Sequence, residues 1–87
     1  MQKLIDLTKG HERVFINLRS AHAKAGFLKQ AEEEGFMLGS KLPTQCECES
    51  VMIIHSDYTL NYCVGMAANW LYHSKQSVVV DYDEIMG

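Results

Sequence analysis

The spacing of apolar positions changes several times along this chain, and each change marks an element. Residues 3–8, Lys-Leu-Ile-Asp-Leu-Thr, form an apolar-rich start that reads as a strand or a helical turn, interrupted by Lys9-Gly10-His11. Val14-Phe15-Ile16-Asn17-Leu18 is β-branched and aromatic, which predicts a strand. Val14, Ile16 and Leu18 would face the core, and Phe15 and Asn17 the other way. Ser20 is placed as an N-cap, and Phe27, Leu28 and Ala31 recur at helical spacing behind it. The expected helix is Ala21–Glu34, stopped by Gly35 in the left-handed region. Its last turn carries Glu32, Glu33 and Glu34, which oppose the helix dipole.

The second half reads as hairpin, helix and strand. Phe36-Met37-Leu38 predicts a short strand, and residues 39–44, with the only Pro, a loop. Ser50–His55 and Tyr58–Cys63 predict a hairpin around Ser56-Asp57, with His55 opposite Tyr58. Met66, Ala67, Trp70 and Leu71 mark a shorter helix with Gly65 near its start. Val78-Val79-Val80 is continuous enough to be a central strand, and residues 81–86 a turn or helical stub. This order predicts an α+β fold. It would be a two-layer sandwich, with a mostly antiparallel or mixed sheet of four to five strands and two helices on one face.

Eighty-seven residues make one domain that buries only roughly 60–65% of its unfolded surface. An apolar fraction of 47% with one Pro argues for a globular chain. No apolar run approaches the roughly 18 residues that span a bilayer. Residues 1–13 lack the apolar core of a signal peptide, so a cytoplasmic protein with no membrane partner is expected. Three cysteines, an odd number, fit free thiols better than a disulfide framework.

Charge changes the picture most. Residues 1–41 hold seven of the eight bases against five acids. Residues 42–87 hold only Lys75 against Glu47, Glu49, Asp57, Asp81, Asp83 and Glu84. The net charge of −3 disfavours direct nucleic-acid binding as the main activity. The acids flank strands and turns and should be exposed, and Tyr58, Tyr62, Tyr72, Tyr82 and Trp70 share their half. Tyrosine supplies rigid contact area and carboxylates steer towards a basic partner. The expected partner-binding residues are Glu47, Glu49, Asp57, Tyr58, Asp81, Asp83 and Glu84.

Candidate chemistry is sparse. Cys46-x-Cys48 would align two thiols on an extended segment, with His55, Cys63 and His73 as further ligands, but zinc pairs are normally spaced C-x₂₋₄-C. Nothing around Cys63 resembles a hydrolase signature, and Gly39-Ser40-Lys41 has no helix after it to bind phosphate. No catalytic residue, cofactor or metal is therefore expected. The alternative is a small regulator that binds nucleic acid through Arg19, Lys24 and Lys29, or zinc through Cys46 and Cys48.

The stretch Gly26-Phe27-Leu28-Lys29-Gln30-Ala31-Glu32-Glu33-Glu34-Gly35-Phe36 with Gly39-Ser40-Lys41-Leu42-Pro43 resembles a pattern common in small phage and prophage proteins of Gram-positive bacteria. So do residues 52–62 and the tail Val79-Val80-Asp81-Tyr82-Asp83-Glu84-Ile85-Met86. Some such proteins, anti-CRISPR proteins among them, block host defence nucleases by binding them. The resemblance implies no residue roles. Joined to the charge split, it leads to the expectation of a phage-encoded inhibitor, acting in the host cytoplasm. Its acidic surface would cover the basic nucleic-acid-binding surface of a host enzyme such as a CRISPR effector. For a homodimer, the Val78–Val80 strand and the Met66/Trp70 helix are the two contacts available.

Overall fold

Four strands form one mixed sheet, and the alternation of their side chains decides what each face carries. In the computed structural model, which describes residues 3–74 and 77–86, the order is α1 (Leu4–Leu7), β1 (Arg13–Asn17), α2 (Ala21–Glu34), β2 (Val51–His55), β3 (Leu60–Tyr62), α3 (Gly65–Tyr72), β4 (Val79–Asp81) and α4 (Tyr82–Met86). A single 3₁₀ turn, Pro43–Gln45, lies between α2 and β2. The strands run β3-β2-β1-β4 across the sheet; β2 is antiparallel to both neighbours, and β4 is parallel to β1. The class is α+β, as the sequence predicts. Residues 3–8 take the helical option, and Lys75 lies outside the described residues.

One face of the sheet carries Val14, Ile16, Met52, Ile54 and Leu60, and it forms the core with Leu4, Phe27, Ala31, Phe36 and Tyr82. Thus α1, α2 and α4 all contribute to this side. The long helix runs as expected. The Ser20 hydroxyl accepts from the Ala23 amide at 3.0 Å, and Gly35 ends the helix at φ 96°.

The opposite face carries Phe15 and Asn17. Phe15 is fully buried here, because the Tyr72 ring of α3 meets it edge-on at 5.7 Å. The Tyr72 hydroxyl also donates to Asn17 Oδ1 at 2.8 Å. The two longer helices therefore touch opposite faces, and the expectation of both on one face does not hold. A strand with apolar residues on both sides asks for cover on both.

Three further expectations are corrected. Val79 is an edge residue, because β2 already occupies the other side of β1. Residues 36–38 form no strand; Met37 makes one bridge to Thr59 at the open side of β3. The hairpin register is shifted by one, so that His55 donates to the Thr59 carbonyl at 3.0 Å. The cause is Asp57, whose carboxylate accepts from both the amide and the hydroxyl of Thr59. That makes a three-residue loop, closed by Tyr58 in the left-handed region at φ 67°. Packing of Tyr58 on Phe36, at 5.1 Å between ring centres, offsets that strain.

The acids at the end of α2 have a structural role. Glu34 accepts from the amides of Leu4 and Ile5 at 2.9 and 3.1 Å, so it caps α1. Gln30 donates to Glu34 at 2.8 Å and accepts from the Tyr82 hydroxyl of α4 at 2.8 Å. Glu32 accepts from the amide and hydroxyl of Thr44 and so holds the 3₁₀ turn against α2. In urea unfolding, Glu34→Ala should cost about 1–3 kcal/mol, because it leaves two part-buried amides without that acceptor. Tyr82→Phe should cost about 1 kcal/mol. The exposed neighbour Glu33→Ala should stay within about 0.5 kcal/mol of the parent.

Candidate functional site

Strand ends decide which of the expected acids meet. β1 finishes at Asn17, β2 begins opposite it at Val51, and β4 finishes beside it at Asp81. The segments 46–50 and 81–84 therefore leave the sheet at the same end. Asp57 and Tyr58 sit in the hairpin turn at the opposite end, about 15 Å away at the usual rise of a strand. The seven expected residues do not form one surface.

Their individual roles differ as well. Asp57 is consumed by its own turn, and its two hydrogen bonds from Thr59 hold its carboxyl below the usual carboxylate range. Asp81 was expected to be exposed and is not; it accepts from Arg19 Nε at 2.5 Å. That hydrogen bond and charge hold the Arg19 guanidinium more firmly protonated. The other Asp81 oxygen is buried and has no hydrogen-bond partner among the described residues. Glu47, Glu49, Asp83 and Glu84 are exposed, and among the described residues none makes an ion pair. Asp83 and Glu84 stand in the first turn of α4, where the helix dipole favours them.

Between the two acid pairs lies an open depression of about 360 Å³, lined by Asn17, Arg19, Lys24, Ser50 and Tyr72 among others. Arg19 is neutralised by Asp81, so among the described residues that line it Lys24 is the cation without an ion-pair partner. Lys24 faces this depression, and a neighbouring one brings Lys41 together with Glu47 and Tyr62. Tyr62 stands beside Glu47 and Glu49; burial first, and then the thiols and carboxylates around it, push its hydroxyl pKa up. Tyr82, one of the tyrosines that share the acidic half of the sequence, is buried in the core.

The thiols and histidines are not assembled for chemistry. Burial pushes the Cys48 thiol up to about 11, against a smaller opposing pull from Lys24. Burial likewise raises Cys63. Cys48 precedes the start of β2 and His55 ends it, so the strand separates them. The His73 ring packs edge-on against Tyr72 at 5.0 Å. Among the described residues, no three His, Cys, Asp or Glu side chains converge on a metal position. Of the expected basic residues, Arg19 follows the end of β1 and is paired with Asp81, while Lys24 and Lys29 lie on α2.

Sequence reasoning named the Met66/Trp70 helix as an available dimer contact but not how far its outer surface stands open. Met66 is 91% and Trp70 73% exposed, although both were read as marking a helix packed on the sheet. A signal for it exists: Val64–Ser74 contains no Asp, Glu, Lys or Arg, so α3 has no charged face to turn outward. Comparison with family models, with curated proteins and with solved structures finds no match to this chain. No helix among the described residues is long and apolar enough to cross a membrane.

The Cys48 environment has two measurable consequences. With its thiol pushed up to about 11, Cys48 stays protonated at pH 8, so iodoacetamide should alkylate it at least tenfold more slowly than a free cysteine peptide. The folded state favours the protonated thiol. Stability should therefore be level below the ordinary thiol value of 9.0 and fall as pH rises from there to about 11. Thermal midpoints of Cys48→Ala should show a shallower fall over the same range.

Proposed function

We propose that this chain is a non-catalytic inhibitor that covers a basic nucleic-acid-binding surface on a host enzyme, as phage-encoded proteins of the anti-CRISPR kind do, within the host cytoplasm. The observation that carries the reading is the set of four exposed carboxylates, Glu47, Glu49, Asp83 and Glu84, that make no ion pair among the described residues and lie on two segments leaving the same end of the sheet. Exposed carboxylates, on a loop for Glu47 and Glu49 and on the first turn of α4 for Asp83 and Glu84, resemble a stretch of phosphates in charge and steer encounter with a cationic groove. Tyr62 adds half-buried aromatic surface beside Glu47 and Glu49. Asp81 serves this surface indirectly, by neutralising Arg19 in its centre. Asp57 and Tyr58, at the far end, are not part of it.

The contact is expected to be salt-sensitive, because exposed charges are screened beyond about 8–10 Å at moderate ionic strength. A pull-down from lysate containing host nucleic-acid enzymes, run at low and high salt, tests this directly. A stoichiometric basic partner that elutes with salt supports the reading. Combined Glu47→Gln, Glu49→Gln, Asp83→Asn and Glu84→Gln should weaken that binding at least tenfold with far-UV circular dichroism unchanged. Glu33→Gln, an exposed acid on α2, should not weaken it. Full retention by the quadruple variant would sink the acidic-surface mechanism. Binding of a plain oligonucleotide, lost on Lys24→Gln, would instead favour the nucleic-acid regulator.

A further inference from the structure

Met66 and Trp70 lie one helical turn apart on the same side of α3 and project into solvent. A surface helix ordinarily turns polar residues outward. This one turns out a thioether and an indole, and carries no Asp, Glu, Lys or Arg between Val64 and Ser74. Its inner side is already used. Tyr72 is held by Phe15 and Asn17, and the Ser77 hydroxyl donates to the Leu71 carbonyl. Val64, at the N-cap, is also exposed, as is Val79 on the sheet face that Tyr72 covers. Trp70 lines a cleft together with Val78, so the helix lies close to the open β4 edge.

We propose that a second copy of this chain covers this face, in a two-fold pair whose α3 helices pack antiparallel. Three observations select a second copy as the occupant. The first is self-complementarity. Met66 and Trp70 are about 6 Å apart along the axis, so an antiparallel pair sets each Met66 sulfur against the other copy's Trp70 ring. A two-fold axis makes that contact twice.

The second is charge. Each copy nets −3, and contact through the acidic end would set carboxylates against carboxylates. The uncharged α3 face is where two copies meet without that repulsion. The third is area. An aromatic side chain offers roughly 150–250 Å², so two patches of Trp70 and Met66, with Val64 and Val79 at their margins, bury at most on the order of 1,000 Å² in total. That meets the lower bound for a specific interface, about 1,000 Å². An interface of that size makes a reversible dimer whose population follows concentration. It leaves the acidic loops outward on each copy, so it stands independently of the inhibitor reading.

Trp70 is the only tryptophan, so its fluorescence reports on this face alone. Sedimentation equilibrium and tryptophan emission, measured over one concentration series of the purified chain, test the proposal. The expected result is a mass rising from 9.9 kDa towards twice that value, with a blue shift of emission over the same range. Met66→Asp and Met66→Lys change the net charge in opposite directions. Both should weaken association at least tenfold and leave far-UV circular dichroism unchanged, since Met66 is almost wholly exposed. A monomeric mass at every concentration overturns the proposal, and so does a dimer whose Trp70 emission never shifts. A dimer that persists undiminished in both variants overturns it as well. Emission that shifts only when a different protein is added would assign the face to that protein.

Discussion

A side-chain relay centred on α2 holds the three helices of the core face together. Tyr82 donates to Gln30, Gln30 donates to Glu34, and Glu34 accepts from the first amides of α1. α1 has four residues and α4 five, too short for either to persist alone in water. Each exists because its end is tied into this relay and because Leu4 and Tyr82 are buried against Phe27 and Ala31. A half-satisfied buried network is costly, which is why the carboxylate, amide and hydroxyl must all be present. Two of the three acids in the last turn of α2, unfavourable for the helix dipole, make sense in this light. Glu34 caps a neighbouring helix and Glu32 holds the 3₁₀ turn.

With the core face closed by α1, α2 and α4, the other face of the sheet depends on α3. Phe15 and Ile53 are buried on that side. The contact that covers Phe15 comes from the last turn of α3, through Tyr72. A helix anchored by its last turn leaves its other sides to solvent, and in α3 those sides carry Met66 and Trp70. The fold thus buries its primary core by drawing three helices to one face, at the cost of an apolar helix left without cover on the other.

Acids from one half of the sequence end in three different physical situations. Asp57 shapes a turn and thereby shifts the hairpin register. Asp81 is drawn into an ion pair with Arg19, across from the end of β1. Glu47, Glu49, Asp83 and Glu84 are exposed, and among the described residues none of them makes an ion pair. Composition counts all of them alike, while the field seen by an approaching partner depends on which ones are already compensated.

Local chemistry was enough for the sequence to determine what depends on neighbours along the chain. Ser20 and Gly35 bracket α2, and the inward set Val14, Ile16 and Leu18 follows from a period of two. The hairpin, the shorter helix and the α+β class follow from the same kind of signal. Wherever a decision depended on residues far apart, the sequence was silent or misleading. Val78–Val80 reads as central because it is apolar, yet β4 is an edge, since strand order depends on which partners remain free on β1. The placement of α3 opposite α2 follows from Phe15 needing cover, which no local pattern reveals. The candidate site was legible as residue types and not as a surface. Glu47, Glu49, Asp83 and Glu84 were visible as acids, but only tertiary structure could remove Asp57 to the far end of the sheet and pair Asp81 with a residue 62 positions away. Charges are written in the sequence; which charges stay unpaired is decided by distance in space.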